Sequence, residues 1–501
     1  MDPTAPVSDN EPSIIIHSDR VVIDGTLTPL TLFSDGRLRW EWEGIERWID
    51  VEKEVVGVET MGSRRIVIKR AVEIGGGLNC LGSAAAAGGL GIKEFVFEVN
   101  DEDGAGQVWG QKLKEYLDSL GRPKRLFIFV NPFGGKKYAV KVFAKVVKPL
   151  LVHADIKFSV QETQHRLHAK EVVQELDLTQ YDGIVCVSGD GILVEVLNGL
   201  LLREDWETAI QTPIGIVPAG TGNGMAKSLL DAVGQPCSAF NAVLAIIHGH
   251  KQPLDVATIL QGNTKFFSVL MLAWGLVADI DIESEKYRWM GSARIDFYAI
   301  QRIFHLRKYH GCIHFVPAPE FEALALAKTE KQDPSQQQLK FNIQSEEEPL
   351  IEEHRYHGPN IKLEKTKWLT VDGPFVSIWL HNVPWGSESA KAAPDAKFSD
   401  GYLDLVLIRD CPKLALLALM TDLSNGNHVK SPHVLYLKVK SFILEPGPRT
   451  EDSTKGGIID VDGEVLARGS GTYKCEQETL MSYNKLQISI HQGLATLFSP
   501  I

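Results

Sequence analysis

No stretch of this 501-residue sequence is apolar for long enough to cross a bilayer as a helix. The longest nearly unbroken apolar run, Phe266 to Ala278, has 13 residues. A spanning helix needs about 20, so any membrane contact is expected to be peripheral. An excess of basic residues is also missing. Lys and Arg total 52 against 64 Asp and Glu, a formal charge of -12. That argues against nucleic acid as a partner, because phosphate backbones are bound by basic surfaces. Cysteine is sparse: Cys80, Cys186, Cys237, Cys312, Cys411 and Cys475 form no close pair. This fits free thiols in a reducing cytoplasm better than a disulfide framework or a zinc site. Met1 to Pro12 is polar and acidic, unlike a secretory signal or a transit peptide. Gly-x-x-x-x-Gly-Lys-Ser/Thr is absent, which excludes a P-loop.

What is present is an ordinary globular composition, 44% hydrophobic and 23% charged, long enough for about three domains. Residues 13–121 read as a β-rich module. Short strands such as Arg20–Ile23, Leu38–Trp42, Val51–Val58 and Arg65–Ile68 are punctuated by Asp24-Gly25 and Asp35-Gly36. A Gly/Ala-rich loop at Gly76–Gly91 and an amphipathic helix at Ala105–Leu120 follow. Several strands capped by one helix with a buried Trp suggest a pleckstrin-homology-like module; a β-rich extension without a ligand is the alternative. Residues 122–254 alternate strands (Leu126–Val130, Ile156–Gln161, Gly183–Val187, Ile214–Val217) with helices. That pattern predicts a parallel α/β sheet with ligands at the carboxyl ends of its strands. Residues 255–501 turn to strands again, including Phe267–Trp274, and predict a largely antiparallel domain with a polar insertion at about 328–367.

Three glycine-containing loops sit at the ends of successive strands. Asn131-Pro132-Phe133-Gly134-Gly135-Lys136 offers backbone N–H groups suited to phosphate oxygens. Ser188-Gly189-Asp190-Gly191 places a carboxylate where phosphate and a nucleophile have room; by spacing alone it is equally a helix cap. Pro218-Ala219-Gly220-Thr221-Gly222-Asn223-Gly224 adds a hydroxyl and an amide. Three such loops can converge on one nucleotide.

These loops, together with Glu195-Val196-x-Asn198-Gly199, resemble the diacylglycerol-kinase-like catalytic domain. The run Leu272 to Arg288 and the segment Asp205 to Ile210 make the chain similar to sphingosine kinases within that superfamily. The resemblance implies an α/β ATP-binding domain followed by a β-rich lipid-substrate domain. It further implies ATP with Mg²⁺, and phosphorylation of the primary hydroxyl of a sphingoid base. Asp190 matches the general base. Asn131, Pro132, Phe133, Thr163, Gln164, His165, Arg166, Leu167, Glu195, Gly220, Thr221, Gly222, Arg288, Arg294, Asp462, Gly463 and Glu464 match nucleotide-site positions. Ser188, Gly189, Asp190, Gly191 and Asp281 match substrate-contacting positions. Asp462 is the candidate metal contact beyond the Mg²⁺ that ATP carries. The sequence departs from the family at His165 and Leu167, where a second Arg and an Asn are common, and it lacks the His common before Glu195.

Asp281 bears on substrate choice. A carboxylate in a partly dry pocket pairs with the ammonium of a free base and not with the amide of ceramide. Asp279, Asp281 and Glu283 could instead form one solvated acidic face. Phe266 to Trp274, Phe297, Phe304 and Leu306 are candidate walls for a lipid tail, although residues at such spacing are more often plain core. Arg294, Arg302, Arg307 and Lys308 could face an anionic bilayer, with a solvated helix face the commoner alternative. The expected partners are thus a sphingoid base and a membrane surface, with no nucleic acid and with a homodimer left open. The expected location is the cytoplasm, peripherally on plasma membrane or endomembranes, including the vacuole in a plant. The rivals are a ceramide or diacylglycerol kinase, a lipid-binding scaffold with a silent kinase fold, and a kinase for a soluble nucleotide.

Overall fold

Tight Xaa-Gly turns organise the first layer. Asp24-Gly25 and Glu43-Gly44 have positive φ at both central positions (47° and 81°, 53° and 75°), the turn whose twist suits two-residue hairpins. They help fold Ile15–Ile23, Thr26–Phe33, Arg37–Trp42 and Ile45–Asp50 into an antiparallel meander. Val55–Met61, Arg65–Ile74 and Gly89–Val99 form a second one. Pairing of Val21 with Val99 joins the two into a seven-stranded sheet. The helix Ala105–Ser119 buries Trp109, Leu113 and Leu117, one per turn, against Trp40, Ile66, Ile68 and Phe97. The expected strand at Val51–Val58 begins instead as a helical turn, Val51–Glu54. The Asp50 carboxylate accepts the Lys53 N–H at 3.1 Å and caps it.

This computed structural model describes residues 13–74, 89–99, 105–134, 137–291, 293–329, 358–361, 363–364, 368–473 and 478–500. Most of the Gly76–Gly91 loop and most of the polar insertion at 328–367 lie outside the described residues, as do Gly135 and Lys136.

The second layer is the parallel sheet. Strands β1 (Arg125–Val130), β2 (Lys157–Glu162) and β3 (Gly183–Ser188) lead to helix α1 (Asp190–Leu201), strand β4 (Ile214–Pro218) and helix α2 (Gly224–Asp231). The spatial order is β2–β1–β3–β4, every pair parallel. The central strands β1, β3 and β4 are buried along nearly their whole length, as a sheet covered on both faces requires.

The third layer is largely antiparallel and continues the same sheet. The elements that matter for the site are strands β5 (Thr264–Ser268) and β6 (Met271–Gly275), helices α3 (Leu276–Glu283) and α4 (Ala293–Phe304), and strands β7 (Ile458–Val461) and β8 (Glu464–Arg468). The last strand, β9 (Leu486–Phe498), joins the layers. It pairs parallel with β4 through Ile214 and Leu497. It also pairs antiparallel with Lys251–Gln261 and Leu435–Arg449. The single strand expected over Phe267–Trp274 is broken at Val269-Leu270, for a reason that lies in the site.

Arg122 fastens the first layer to the second. Its buried guanidinium donates to the carbonyls of Val51, Glu52, Val55 and Val56 at 2.8–3.4 Å. Arg122→Ala leaves these acceptors without their donor and should destabilise the junction by about 2–4 kcal/mol. Thermal unfolding followed by Trp fluorescence checks this, since the module holds Trp40, Trp42, Trp48 and Trp109. An unchanged midpoint would remove Arg122 from that role.

Candidate active site

The loops after β3 and β4 approach so closely that side chains are excluded. A Cβ on Gly220 would lie 2.3 Å from the Cα of Gly189, and one on Gly189 would lie 3.1 Å from the Cα of Gly220. Between them stands Asp190. Its carboxylate accepts the N–H of Gly224 at 2.7 Å and of Met225 at 3.0 Å. It therefore caps α2, a different helix from the one that the sequence places it on, and the N-terminus of α2 fixes its orientation. Desolvation raises the Asp190 pKa above the ordinary carboxylate value, and the two backbone donors oppose that rise. Ser188 is buried and its hydroxyl donates to the carbonyl of Gly189 at 2.6 Å, while Gly191 and Thr221 are exposed. A Cβ on Gly222 would lie 3.3 Å from an Asp190 oxygen, so this glycine keeps the carboxylate uncovered.

Asn223 and Glu388 complete this corner, and the sequence reading assigned neither to the site. Asn223 is left-handed (φ 55°). It accepts the Gly220 N–H at 2.9 Å and donates to Glu388 Oε1 at 2.6 Å, while the Glu388 N–H donates to the Gly222 carbonyl. Glu388 comes from the loop after Ser377–His381, so the third layer clasps the glycine loop of the second. Its setting, Gly386-Ser387-Glu388-Ser389, carries no sequence signal for such a contact.

The loops after β1 and β2 are tied together. Asn131 Oδ1 accepts the N–H groups of Phe133 and Gly134 (3.0 and 3.2 Å) and the Thr163 hydroxyl at 3.4 Å. Pro132 lies between them, and Phe133 projects into solvent. Glu195 reaches across from α1. Its two oxygens accept the N–H of Leu167 at 3.0 Å and of Ala169 at 3.1 Å, capping the helix His168–Glu175. Leu167 is left-handed (φ 67°), and its backbone rather than its side chain is what Glu195 holds. Gln164 donates its N–H to His168, and His165 lies 3.6 Å from the Glu171 carboxylate. Arg166 pairs with Glu464 at 3.0 Å, carrying the late acidic motif to this loop.

Asp462 corrects one expectation. Its carboxylate accepts the Ser268 hydroxyl and the N–H groups of Val269, Leu270 and Met271 at 2.8–3.1 Å. Those donors are what interrupts Phe267–Trp274 and separates β5 from β6. Burial pushes the Asp462 pKa up to about 6, against the pull of these bonds. With four donors already seated, it serves as a structural clamp and not as an open cation ligand. Asp462-Gly463 forms a left-handed turn (φ 55° and 83°) that leaves Glu464 exposed.

The acidic residues of α3 divide between two faces. Asp279 and Glu283, one turn apart, are buried rather than solvated. Asp279 accepts the Tyr309 hydroxyl at 2.6 Å and faces Arg302 and Arg307, and Glu283 accepts Arg307 at 2.9 Å. Asp281 points elsewhere, half-buried, toward β7. There its carboxyl meets that of Asp460, within the field of Arg294. Desolvation raises the pKa of Asp281. Arg294 is buried on α4, 3.8 Å from Glu285, and its Nη1 has no hydrogen-bond partner among the described residues. The Arg288 side chain lies outside the described residues; its backbone belongs to the turn Ser284–Met290.

Two further expectations change. Arg294 and Arg302 are buried and do not form a basic outer face on α4. Phe297 and Phe304 are 47% and 59% exposed, so they do not wall an interior pocket in this structure. Leu306 packs against the core instead.

Comparison with known proteins agrees with this architecture. Residues 125–259 match the model of the diacylglycerol kinase catalytic domain. Residues 366–481 match the YegS C-terminal NAD kinase beta sandwich-like domain. The chain is 58% identical to sphingosine kinase 1 of Arabidopsis thaliana, over 98% of both chains. It is 57% identical to sphingosine kinase 2 of the same plant, over 96% of both. Ceramide kinase of Homo sapiens is 31% identical over 78% of this chain and 76% of its own length. With the glycine loops, the clasped α/β layer and the antiparallel layer in place, the chain belongs to the sphingosine kinase family and is an ATP-dependent lipid kinase.

Proposed function

We propose that the enzyme transfers the γ-phosphoryl group of ATP to the primary hydroxyl of a sphingosine-like long-chain base, with Asp190 as general base. The observation that carries this reading is the Asp190 carboxylate, fixed by two N–H groups of α2 between abutting glycine loops. The substrate hydroxyl oxygen bonds to the γ-phosphorus as the β–γ bridging bond breaks. The hydroxyl proton passes to Asp190, and ADP leaves with the bridging oxygen. Desolvation raises the pKa of this carboxylate, which makes it a stronger proton acceptor.

The nucleotide lies, in this reading, against the backbone N–H groups of Asn131–Gly134 and Gly220–Gly222, with the Thr163–Leu167 loop and Glu195 framing it. Arg288 and Arg294 offset phosphate charge, and Glu464 positions Arg166. Among the described residues no three His, Cys, Asp or Glu converge as a cation cage, and Asp462 is occupied. Mg²⁺ fits here as an ion carried by the ATP phosphates and water, where it would neutralise charge on the transferred group.

Asp281 pairs with the substrate ammonium. The outer face of α4 supports peripheral membrane contact: Phe297, Ile300 and Phe304 form one exposed stripe, with Trp289 and Leu414 also exposed. No helix among the described residues is long and apolar enough to cross a membrane.

Three measurements test these roles. Asp190→Asn should lower kcat by about 10²–10⁴-fold while ATP binding persists; turnover close to wild type would exclude Asp190 as the base. In a panel with labelled ATP, free sphingosine should be phosphorylated in strong preference to ceramide and diacylglycerol, and Asp281→Asn should narrow that preference by raising KM for the free base. Equal turnover of the three lipids by the wild type would refute the substrate assignment. The double variant Ile300→Ser/Phe304→Ser should weaken sedimentation with anionic vesicles by about tenfold. Its turnover of detergent-dispersed substrate should stay intact, and unchanged sedimentation would take α4 out of membrane contact.

A further inference from the structure

Asp460 is a carboxyl group in an apolar strand, Ile458-Ile459-Asp460-Val461, and it is fully buried. The strand alternates. Ile459 and Val461 belong to one hydrophobic core, while Ile458 shares the other with Ala278 and Ile282 of α3. Asp460 falls on this second face. Its register partner on β6 is Ala273, whose small side chain leaves room beside it. Neither Asp460 oxygen receives a conventional donor among the described residues. The group that its carboxyl meets is the carboxyl of Asp281. Two carboxyls in contact attract only when a proton lies between them, and they then titrate as a pair. A buried carboxyl with no other partner is costly to keep, and this one stands against the residue assigned to the substrate amine.

We propose that Asp460 is a positioning residue for substrate recognition: in its protonated form it donates to Asp281, holding that carboxylate ionised and oriented for the substrate ammonium. The inference rests on the reading of Asp281 given above. The direction of the titrations agrees. Burial and the Asp281 charge push Asp460 well above an ordinary carboxyl. For Asp281 burial raises the pKa, and the Asp460 hydrogen bond works against that rise. The other charged groups facing the pair are Arg294 on α4 and Glu285 after α3, toward Asp281, and Asp462 and Glu464 on either side of the β7–β8 turn, toward Asp460.

The test uses the full chain, with sphingosine as the varied substrate at saturating ATP over a range of pH. Asp460→Ala and Asp460→Val remove the donor. Each should raise KM for sphingosine about tenfold, the loss of one hydrogen bond to a charged group, while kcat and KM for ATP stay within about twofold. Without its donor Asp281 holds its proton more tightly, so the acid limb of kcat/KM should move to higher pH. Asp460→Asn, whose amide still donates, should restore both KM and the limb. The valine variant suits a buried strand and keeps the test open should the alanine variant fail to fold. An unmoved acid limb in the donor-free variants, or an asparagine variant as impaired as they are, overturns the inference. Asp281→Asn separates the two claims: unchanged KM for sphingosine there overturns the reading of Asp281 itself. Raised KM there, with unaffected Asp460 variants, overturns the role of Asp460 alone.

Discussion

The four hydrogen bonds to Asp462 set the break between two strands on which the antiparallel side of the site depends. By drawing Ser268, Val269, Leu270 and Met271 onto one carboxylate, they end one strand and start the next with two residues between. The new strand, Met271–Gly275, pairs with the strand that carries Asp460 and leads straight into the helix that carries Asp281. The placement of Asp460 and Asp281 therefore descends from a single side chain. N–H groups that would otherwise be left without partners at a strand break are satisfied there, which is why an interrupted strand is tolerated in a buried position.

The glycine loops around Asp190 depend on a different constraint, the absence of side chains. Gly189 and Gly220 touch through their backbones, and any Cβ there would force the loops apart. That contact sets the distance between β3 and β4 loops and hence the place of Asp190. The two sides share one buried core, in which Leu193, Leu197 and Met225 lie with Phe267, Ala278 and Ile282, and a chain of charges also links them. Glu195 feels Arg166 and Glu464, Arg166 pairs with Glu464, and Glu464 acts in turn on Asp460.

Much of this was legible in the residues. Strand–helix alternation predicts the parallel layer, because strands covered on both faces must be continuously apolar and must be linked by crossovers. Glycine loops at strand ends mark where backbone is exposed to a ligand. The sequence could not show which helix Asp190 caps, since α2 starts more than thirty residues further along the chain and the contact exists only in three dimensions. It could not show Glu388, whose surroundings read as an ordinary polar loop. Nor could it divide Asp279 and Glu283 from Asp281, although helical spacing makes the division natural once the two neighbouring surfaces are known. Asp460 did carry a signal, a charge in a short apolar strand, that periodicity alone can find.

The strand Leu486–Phe498 has a consequence in time as well as in space. It covers the edge of the parallel sheet at Ile214, yet it is made long after the rest of that sheet has left the ribosome. Until it arrives, the β4 edge stands open, and an open strand edge invites pairing with other chains. Biogenesis of this kinase thus includes an interval in which the nucleotide-binding half is nearly complete but unsealed, and in which a chaperone or a slow translation rate has most to offer.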